Sequence, residues 1–202
     1  MLTFWEYPEP CSAKCAVRRS GQPMSTLDLP VIEDQTAFNL ARWDALCADP
    51  LWADIDGKIE TDRYGQIIMN YPAEFSHGGK QADLVSLLKE FAPEGKVTVE
   101  CPISTSEGVK VAAAIWVSKK RLAKIGGRTA LAAAPEICVE VLSPSNTRNE
   151  IEEKRRLYFG AGAREVWLCE RDGQLRFFVK ATPAKARAAS VLCAEMPAAV
   201  ER

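Results

Sequence analysis

The stretch from Pro135 to Gly162, PEICVEVLSPSNTRNEIEEKRRLYFGAG, constrains the fold more than any other part of the chain. It opens on an apolar run, Ile137, Cys138, Val139 and Val141, broken by one acid, Glu140. A short, nearly continuous apolar run suits a strand buried inside an α/β sheet rather than an amphipathic surface strand. Ser143-Pro144-Ser145-Asn146 then ends the run with turn chemistry. From Asn149 onward Ile151, Lys154, Arg155, Leu157 and Tyr158 fall at three- and four-residue spacings, and Gly160 and Gly162 mark a helix end. An acid in an apolar strand is expensive to bury without a partner. A lysine one helix later can reach back over the strand end and supply one.

The remaining elements build a mixed α/β domain around this unit. Asp34 or Thr36 caps a helix through Phe38, Leu40, Ala45 and Leu46. Trp52 to Glu60 alternates apolar and polar residues about a turn at Asp56-Gly57, and Tyr64 to Met69 follows, as in an antiparallel meander. Ser76 introduces a helix from His77 to Phe91, with Leu84, Leu87, Leu88 and Phe91 on one stripe and Pro93 beyond its end. Val97 to Cys101 reads as a strand closed by Pro102. Val109 to Val117 reads as a central strand because it is almost wholly apolar. Ser118 caps a short basic helix, Lys119 to Ile125, which Gly126-Gly127 stop. Glu165 to Cys169 and Leu175 to Val179 form a hairpin through Asp172-Gly173, and a last structured piece falls at Val191 to Pro197.

Composition bounds the function classes. At 202 residues and 47% hydrophobic content, the chain suits one domain with a real core. The 26 basic and 27 acidic residues leave a net charge of −1, so a nucleic-acid site would have to be a local patch. No apolar run approaches the roughly 20 residues of a membrane span, and no membrane partner is expected. The seven cysteines are odd in number, with Cys138 and Cys169 inside apolar strand patterns, as expected of reduced core thiols in a cytoplasmic protein. Cys11 and Cys15 lack the second Cys/His pair of a zinc site. The first residues have no secondary-structure period, and Met24 begins MSTLDLP like a natural start. Residues 1–32 are therefore expected to be a loose tail, 33–197 the domain, and 198–202 a short C-terminal tail.

A strand acid followed by a helix lysine suits metal-assisted phosphodiester hydrolysis, where a divalent cation neutralises developing charge and activates water. Magnesium is held by one or two carboxylates, a backbone carbonyl and waters. Spacing alone does not single this out. From the residues alone Glu140 is equally a structural acid paired with Lys154 or Arg155, Lys154 part of a solvated charged face, and His77 a helix-start residue. The basic run Lys119, Lys120, Arg121, Lys124 and Arg128 suits phosphate contact as well as a solvated face.

The segments ADIDGKIE, FSHGGKQADLVSLLKEF, VKVAAAIWVSKKRL, the organising stretch with its continuation AREVWLCE, and QLRFFV resemble the Uma-type endonucleases of the restriction-endonuclease-like, or PD-(D/E)XK, superfamily. The resemblance covers about residues 33–197. It implies a central mixed sheet flanked by helices and magnesium- or manganese-dependent cleavage of DNA. Glu140 matches the family's metal-binding glutamate, Lys154 its lysine on the following helix, and His77 a histidine at the start of the first core helix. Glu60 lies near an early acidic strand end. The implied metal ligands are Glu140, a backbone carbonyl at Val141 and an aspartate at position 113, but this sequence has Ala113 between two further alanines. A methyl group supplies neither charge nor lone pairs, so the resemblance implies a weakened or inactive copy. The alternatives are a non-catalytic nucleic-acid-binding or regulatory module and a structural subunit, with a homodimer as its expected form. If the nuclease reading holds, position 113, Glu140 and Lys154 should converge on one cleft.

Overall fold

The computed structural model describes residues 31–52, 58–70, 75–127 and 129–200. The expectations for Cys11 and Cys15, the turn at Asp56-Gly57, the tail before residue 31, Arg128 and residues 201–202 lie outside that set. The regular elements are helices α1 (Gln35–Ala48), α2 (Phe75–Phe91), α3 (Lys119–Ile125) and α4 (Arg148–Gly160). The strands are β1 (Lys58–Thr61), β2 (Ile67–Asn70), β3 (Gly95–Thr105), β4 (Gly108–Ser118), β5 (Ile137–Val141), β6 (Glu165–Cys169) and β7 (Leu175–Val179).

Strands β3 to β7 form one five-stranded sheet in chain order, while β1 and β2 form a separate two-stranded ribbon. Only β5 and β6 are parallel, and α4 is the connection between them. Parallel neighbours need such a crossover, so the organising stretch becomes the strand and helix of a βαβ unit. The fold is thus a mixed α/β sheet with helices packed against it. Trp52, expected in a strand, instead ends a short 3-10 turn, Pro50–Trp52.

Three apolar clusters hold the layers. On one face, Ile151, Tyr158 and Phe159 of α4 pack with Ile115, Cys138, Val166 and Phe178 of the sheet. On the other, Leu84 and Leu88 of α2 pack with Ala113, Ala114, Trp116, Val139 and Trp167. Trp43 and Leu46 of α1 cover Val109 and Val111 near the ribbon. Asp34 caps α1 by accepting from the Ala37 N–H at 3.0 Å. Thr147 and Glu150 cap α4 reciprocally, starting it at Arg148, one residue before the expected Asn149.

Pro102 does not close β3, which continues to Thr105. The strand lies at the sheet edge, where a residue without an N–H is tolerated. The Pro102 carbonyl instead accepts from the Leu131 N–H at 2.9 Å. The C-terminal segment has no regular element around Val191 to Pro197, yet it is pinned to the sheet. Buried Glu165 accepts from Trp167 Nε1, Ser190 Oγ, and the N–H groups of Val191 and Leu192, all at 2.7–2.8 Å. Packing continues to Val200, whose N–H donates to the Gly173 carbonyl at 2.9 Å.

A kink crosses β3 and β4 together. Pairing runs through Val99↔Ala114 and resumes at Cys101↔Ala112, skipping Glu100 and Ala113. Ile115 and Val117 face α4, and so does Ala112, whereas Ala113 and Ala114 both belong to the cluster under α2. The alternation has therefore slipped by one residue at Ala113. Opposite it, Glu100 has φ of 45°, a left-handed conformation that a side chain rarely adopts. Gln81 of α2 spans the break, donating to both the Glu100 carboxylate and the Ala113 carbonyl. Glycine adopts positive φ without a Cβ penalty. Glu100→Gly should therefore be about 1 kcal/mol more stable than Glu100→Ala in urea denaturation, because both lose the same carboxylate contacts and only glycine releases the backbone strain.

Candidate active site

Glu140 is the fourth residue of β5, where the sequence places an acid among Val139, Val141 and Cys138. Its side chain is buried and directed toward α4. The Tyr158 hydroxyl donates to Glu140 Oε1 at 2.6 Å, and Lys154 Nζ lies 3.5 Å from the same oxygen. Tyr158 and Lys154 are four residues apart on α4, so one helical face supplies both partners. Lys154 Nζ also reaches Glu60 Oε1 of β1 at 2.7 Å. One ammonium thus bridges two buried carboxylates carried by different sheets.

Glu60 is tied to β4 as well. Its Oε1 accepts from the Val111 N–H at 3.0 Å, while Thr61 Oγ1 accepts from the Val109 N–H at 2.9 Å. Lys110 Nζ donates to the Thr61 carbonyl at 3.0 Å. The ribbon is therefore docked on β4 by polar contacts that leave Glu60 in line with Glu140 across Lys154.

The charges tune one another. Burial pushes the Glu60 carboxyl up, but the Lys154 charge and hydrogen bond, the Val111 N–H and the Lys58 charge outweigh it, leaving a net depression. Burial pushes Lys154 down, and the charges and hydrogen bonds of Glu140 and Glu60 carry it well above the ordinary lysine value. Burial, the Glu140 charge and the hydrogen bond to it keep Tyr158 a neutral phenol. Burial also lowers Lys110, opposed by the Glu60 charge.

The other residues singled out in the sequence occupy different places. His77 is half-buried near the start of α2. Burial and the Lys58 charge lower its pKa against the opposing charges of Glu100 and Glu140. Val141 is buried in the cluster on the α2 side of the sheet. Pairing between β4 and β5 ends at Ala114↔Val139, so the strands part at Ala113 and Glu140. Beyond that point the side chains diverge: Ala113 packs with Leu84 and Leu88 of α2, while Glu140 turns to Tyr158 and Lys154 of α4. The expected convergence thus brings together Glu140 and Lys154, with Glu60 as third member, and directs Ala113 elsewhere.

Tyr158 was not legible as a site member, and Glu60 was a candidate only through the family resemblance. Tyr158 reads in sequence as one more apolar helix position, and only its spacing from Lys154 hints that both meet Glu140. Glu60 sits in a short alternating strand with nothing local to mark it as buried.

As built, this donor set does not fit a divalent cation. The ammonium of Lys154 already lies between the two carboxylates, position 113 offers a methyl, and among the described residues no three acid, histidine or cysteine side chains gather. Its chemistry is that of a hydrogen-bonded acid pair whose charge one ammonium offsets in part.

A five-stranded mixed sheet with a buried strand acid and a helix lysine over its end is a restriction-endonuclease-like arrangement. Residues 45–191, well over half of the chain, match the family Uma2, described as "Putative restriction endonuclease". The chain belongs to that family. Among solved structures, it is similar to "a putative nuclease belonging to DUF820" from Anabaena variabilis ATCC 29413, with a TM-score of 0.59 and 15% identity. That match covers 78% of this chain and 94% of the other, and shows the shared fold. No curated protein matches the chain.

The bridge predicts a defined pH response. The depressed Glu60 pKa stabilises the fold in full above about pH 4.3, its ordinary value, and that stability is lost as pH falls toward and through the lower folded value. The raised Lys154 pKa contributes in full below about pH 10.4 and fades only as pH rises above that through the folded value. Urea midpoints should therefore fall on the acid side, and Glu60→Gln should flatten that limb. Lys154→Met should cost about 3–5 kcal/mol, since it leaves two buried carboxylates without their cation. Adding Glu60→Gln to Lys154→Met should recover part of that loss in the same measurement.

Proposed function

We propose that this chain acts on DNA through a nuclease fold whose metal-dependent phosphodiester cleavage is weakened or lost. The observation that carries the reading is the Lys154 ammonium at 2.7 and 3.5 Å from the Glu60 and Glu140 carboxylates. It occupies the position between two acids that a hard cation would otherwise take, and Ala113 adds no ligand. In an active relative, magnesium or manganese at this point would supply charge neutralisation and an activated water. Here Glu140 would be the remaining acid, Lys154 the cation held between the two carboxylates, and His77 an imidazole within the field of Glu140.

A second reading follows from the same charge balance: a non-catalytic nucleic-acid-binding module, which holds DNA with no need of an ion. Supercoiled plasmid incubated with the purified protein in magnesium or manganese tests what cleavage survives: slow nicking that Glu140→Gln abolishes marks a weakened nuclease, and none at all a binding module. The expected result is retention of DNA without the ion and little or no nicking with it. Robust magnesium-dependent nicking that Glu140→Gln abolishes would overturn the loss of catalysis.

Position 113 gives a second test. Ala113 is fully buried against Leu84 and Leu88, so Ala113→Asp places a carboxylate among apolar groups. It should lower stability by more than about 2 kcal/mol, equally with and without magnesium, and restore no cutting. Thermal stabilisation by the ion together with recovered nicking would show instead that a carboxylate at 113 reaches Glu140, leaving the chain one substitution from an active nuclease.

A further inference from the structure

Helix α4 presents consecutive residues to two different places. Lys154 turns to the acids, and Arg155 turns toward β7, where its guanidinium lies over the Phe178 ring at 4.2 Å from the centroid. Beside it runs an open groove of about 1060 Å³ between the start of α4, the β5–α4 loop and the β6–β7 hairpin. Four guanidinium groups line it, those of Arg148, Arg155, Arg171 and Arg176, against three carboxylates, those of Glu152, Glu170 and Asp172.

These cations are not equivalent. Arg148 pairs with Glu152 at 2.8 Å, and Arg176 with Glu170 at 3.3 Å. Arg171 donates to the Ser143 carbonyl at 3.3 Å. Arg155 has no carboxylate within ion-pair distance among the described residues. It is half-buried, lies over the aromatic ring, and adjoins space large enough for a ligand. A stacked guanidinium keeps its in-plane N–H fork available and loses little entropy when that fork engages an anion. The exposed pairs Arg148–Glu152 and Arg176–Glu170 contribute little stability of their own, so both arginines can turn toward a stronger acceptor.

The groove starts at Leu142 and Ser143, two and three residues beyond Glu140. A polyanion lying over the end of β5 would therefore continue into it. We infer that this arginine groove, centred on Arg155, binds the phosphodiester backbone of a nucleic acid beside the Glu60–Lys154–Glu140 site. The inference rests on the proposed action on DNA and adds where the strand docks. An open groove with its cations spread along it suits a chain of phosphates better than one small anion. Phosphate is the natural partner of a bidentate guanidinium fork, and such contacts position a strand without reading its sequence.

Fluorescence anisotropy of a labelled duplex, titrated at several salt concentrations without divalent ions, tests the groove. Arg155→Gln should weaken binding about tenfold, the loss of one charged hydrogen-bonded contact, and reduce the slope of log affinity against log salt by about one. Arg155→Lys should restore the slope but only part of the affinity, because it keeps the charge and loses the fork. Should Arg155→Gln fail to fold through loss of its stack on Phe178, exposed Arg171→Gln gives the same readout with a similar expected loss. Inorganic phosphate and a mononucleotide, titrated by calorimetry, separate the sources of the phosphate group. Either one binding as tightly as the duplex, with the same dependence on Arg155, would assign the groove to a small anion and overturn the inference. Equal duplex affinity in wild type, Arg155→Gln and Arg171→Gln would overturn it while leaving the proposed function standing. Magnesium-dependent cutting by the wild type, with binding still dependent on Arg155, would overturn the loss of catalysis and leave the groove standing. Failure of the wild type to bind DNA at low salt would overturn both.

Discussion

The ammonium of Lys154 between Glu60 and Glu140 is the contact on which the arrangement of layers turns. Each acid alone would be a buried charge that the apolar surroundings cannot tolerate. Together they make a site that only a cation can occupy, and the helix supplies one in place. The bridge joins three separate pieces of chain, the ribbon strand β1, the sheet strand β5 and the helix α4. It therefore adds a polar link between ribbon and sheet to the apolar cluster of Trp43 and Leu46. A hydrophobic replacement of all three groups need not be less stable. What the polar version adds is register, since only one docking of β1 puts a carboxylate in reach of both Lys154 and the Val111 N–H.

The organisation around that bridge was largely legible in the sequence, because apolar periodicity reports which residues face a core. The buried strand at Ile137–Val141, the helix after it, the central strand through Ala112–Ala114 and the closing hairpin all follow from local pattern and turn residues. The need for a partner at Glu140 was legible for the same reason, and Lys154 was the nearest group able to supply it. The legible part ends where the determinant lies far away in the chain. Glu60 reads like any charged residue of a short strand until the ribbon is docked on β4, 51 residues away in sequence. Glu165 reads as an ordinary strand start until Ser190 and the N–H groups of Val191 and Leu192 close on it. Pro102 reads as a strand end because local pattern cannot tell an edge strand from a central one.

Position 113 shows the same limit from the other direction. The resemblance implies an aspartate there, and periodicity alone would put the side chain at 113 on the face shared with Glu140, one residue past the last β4–β5 pair. The kink at Glu100 and Ala113 moves it to the α2 side. A phase slip of one residue in a strand exchanges faces, and no feature of three successive alanines signals it. Strain of this kind, a left-handed Glu100 held by Gln81 and Lys58, persists only where surrounding contacts over-determine it.

The two sides of α4 can then be seen as a division of labour set by helical geometry. Consecutive residues on a helix point about 100° apart, so Lys154 and Arg155 cannot serve one site. Lys154 is consumed by the acids and is held protonated by them, leaving its charge largely cancelled toward a passing phosphate. Arg155 is stacked, unpaired by any acid among the described residues, and retains its charge toward the groove. In a chain with a net charge of −1, attraction for a polyanion has to come from such local imbalance rather than from the overall field. One ammonium offsets only one of the two carboxylates, so the acid pair still repels a phosphate backbone, and attraction has to come from the arginines of the groove beside it.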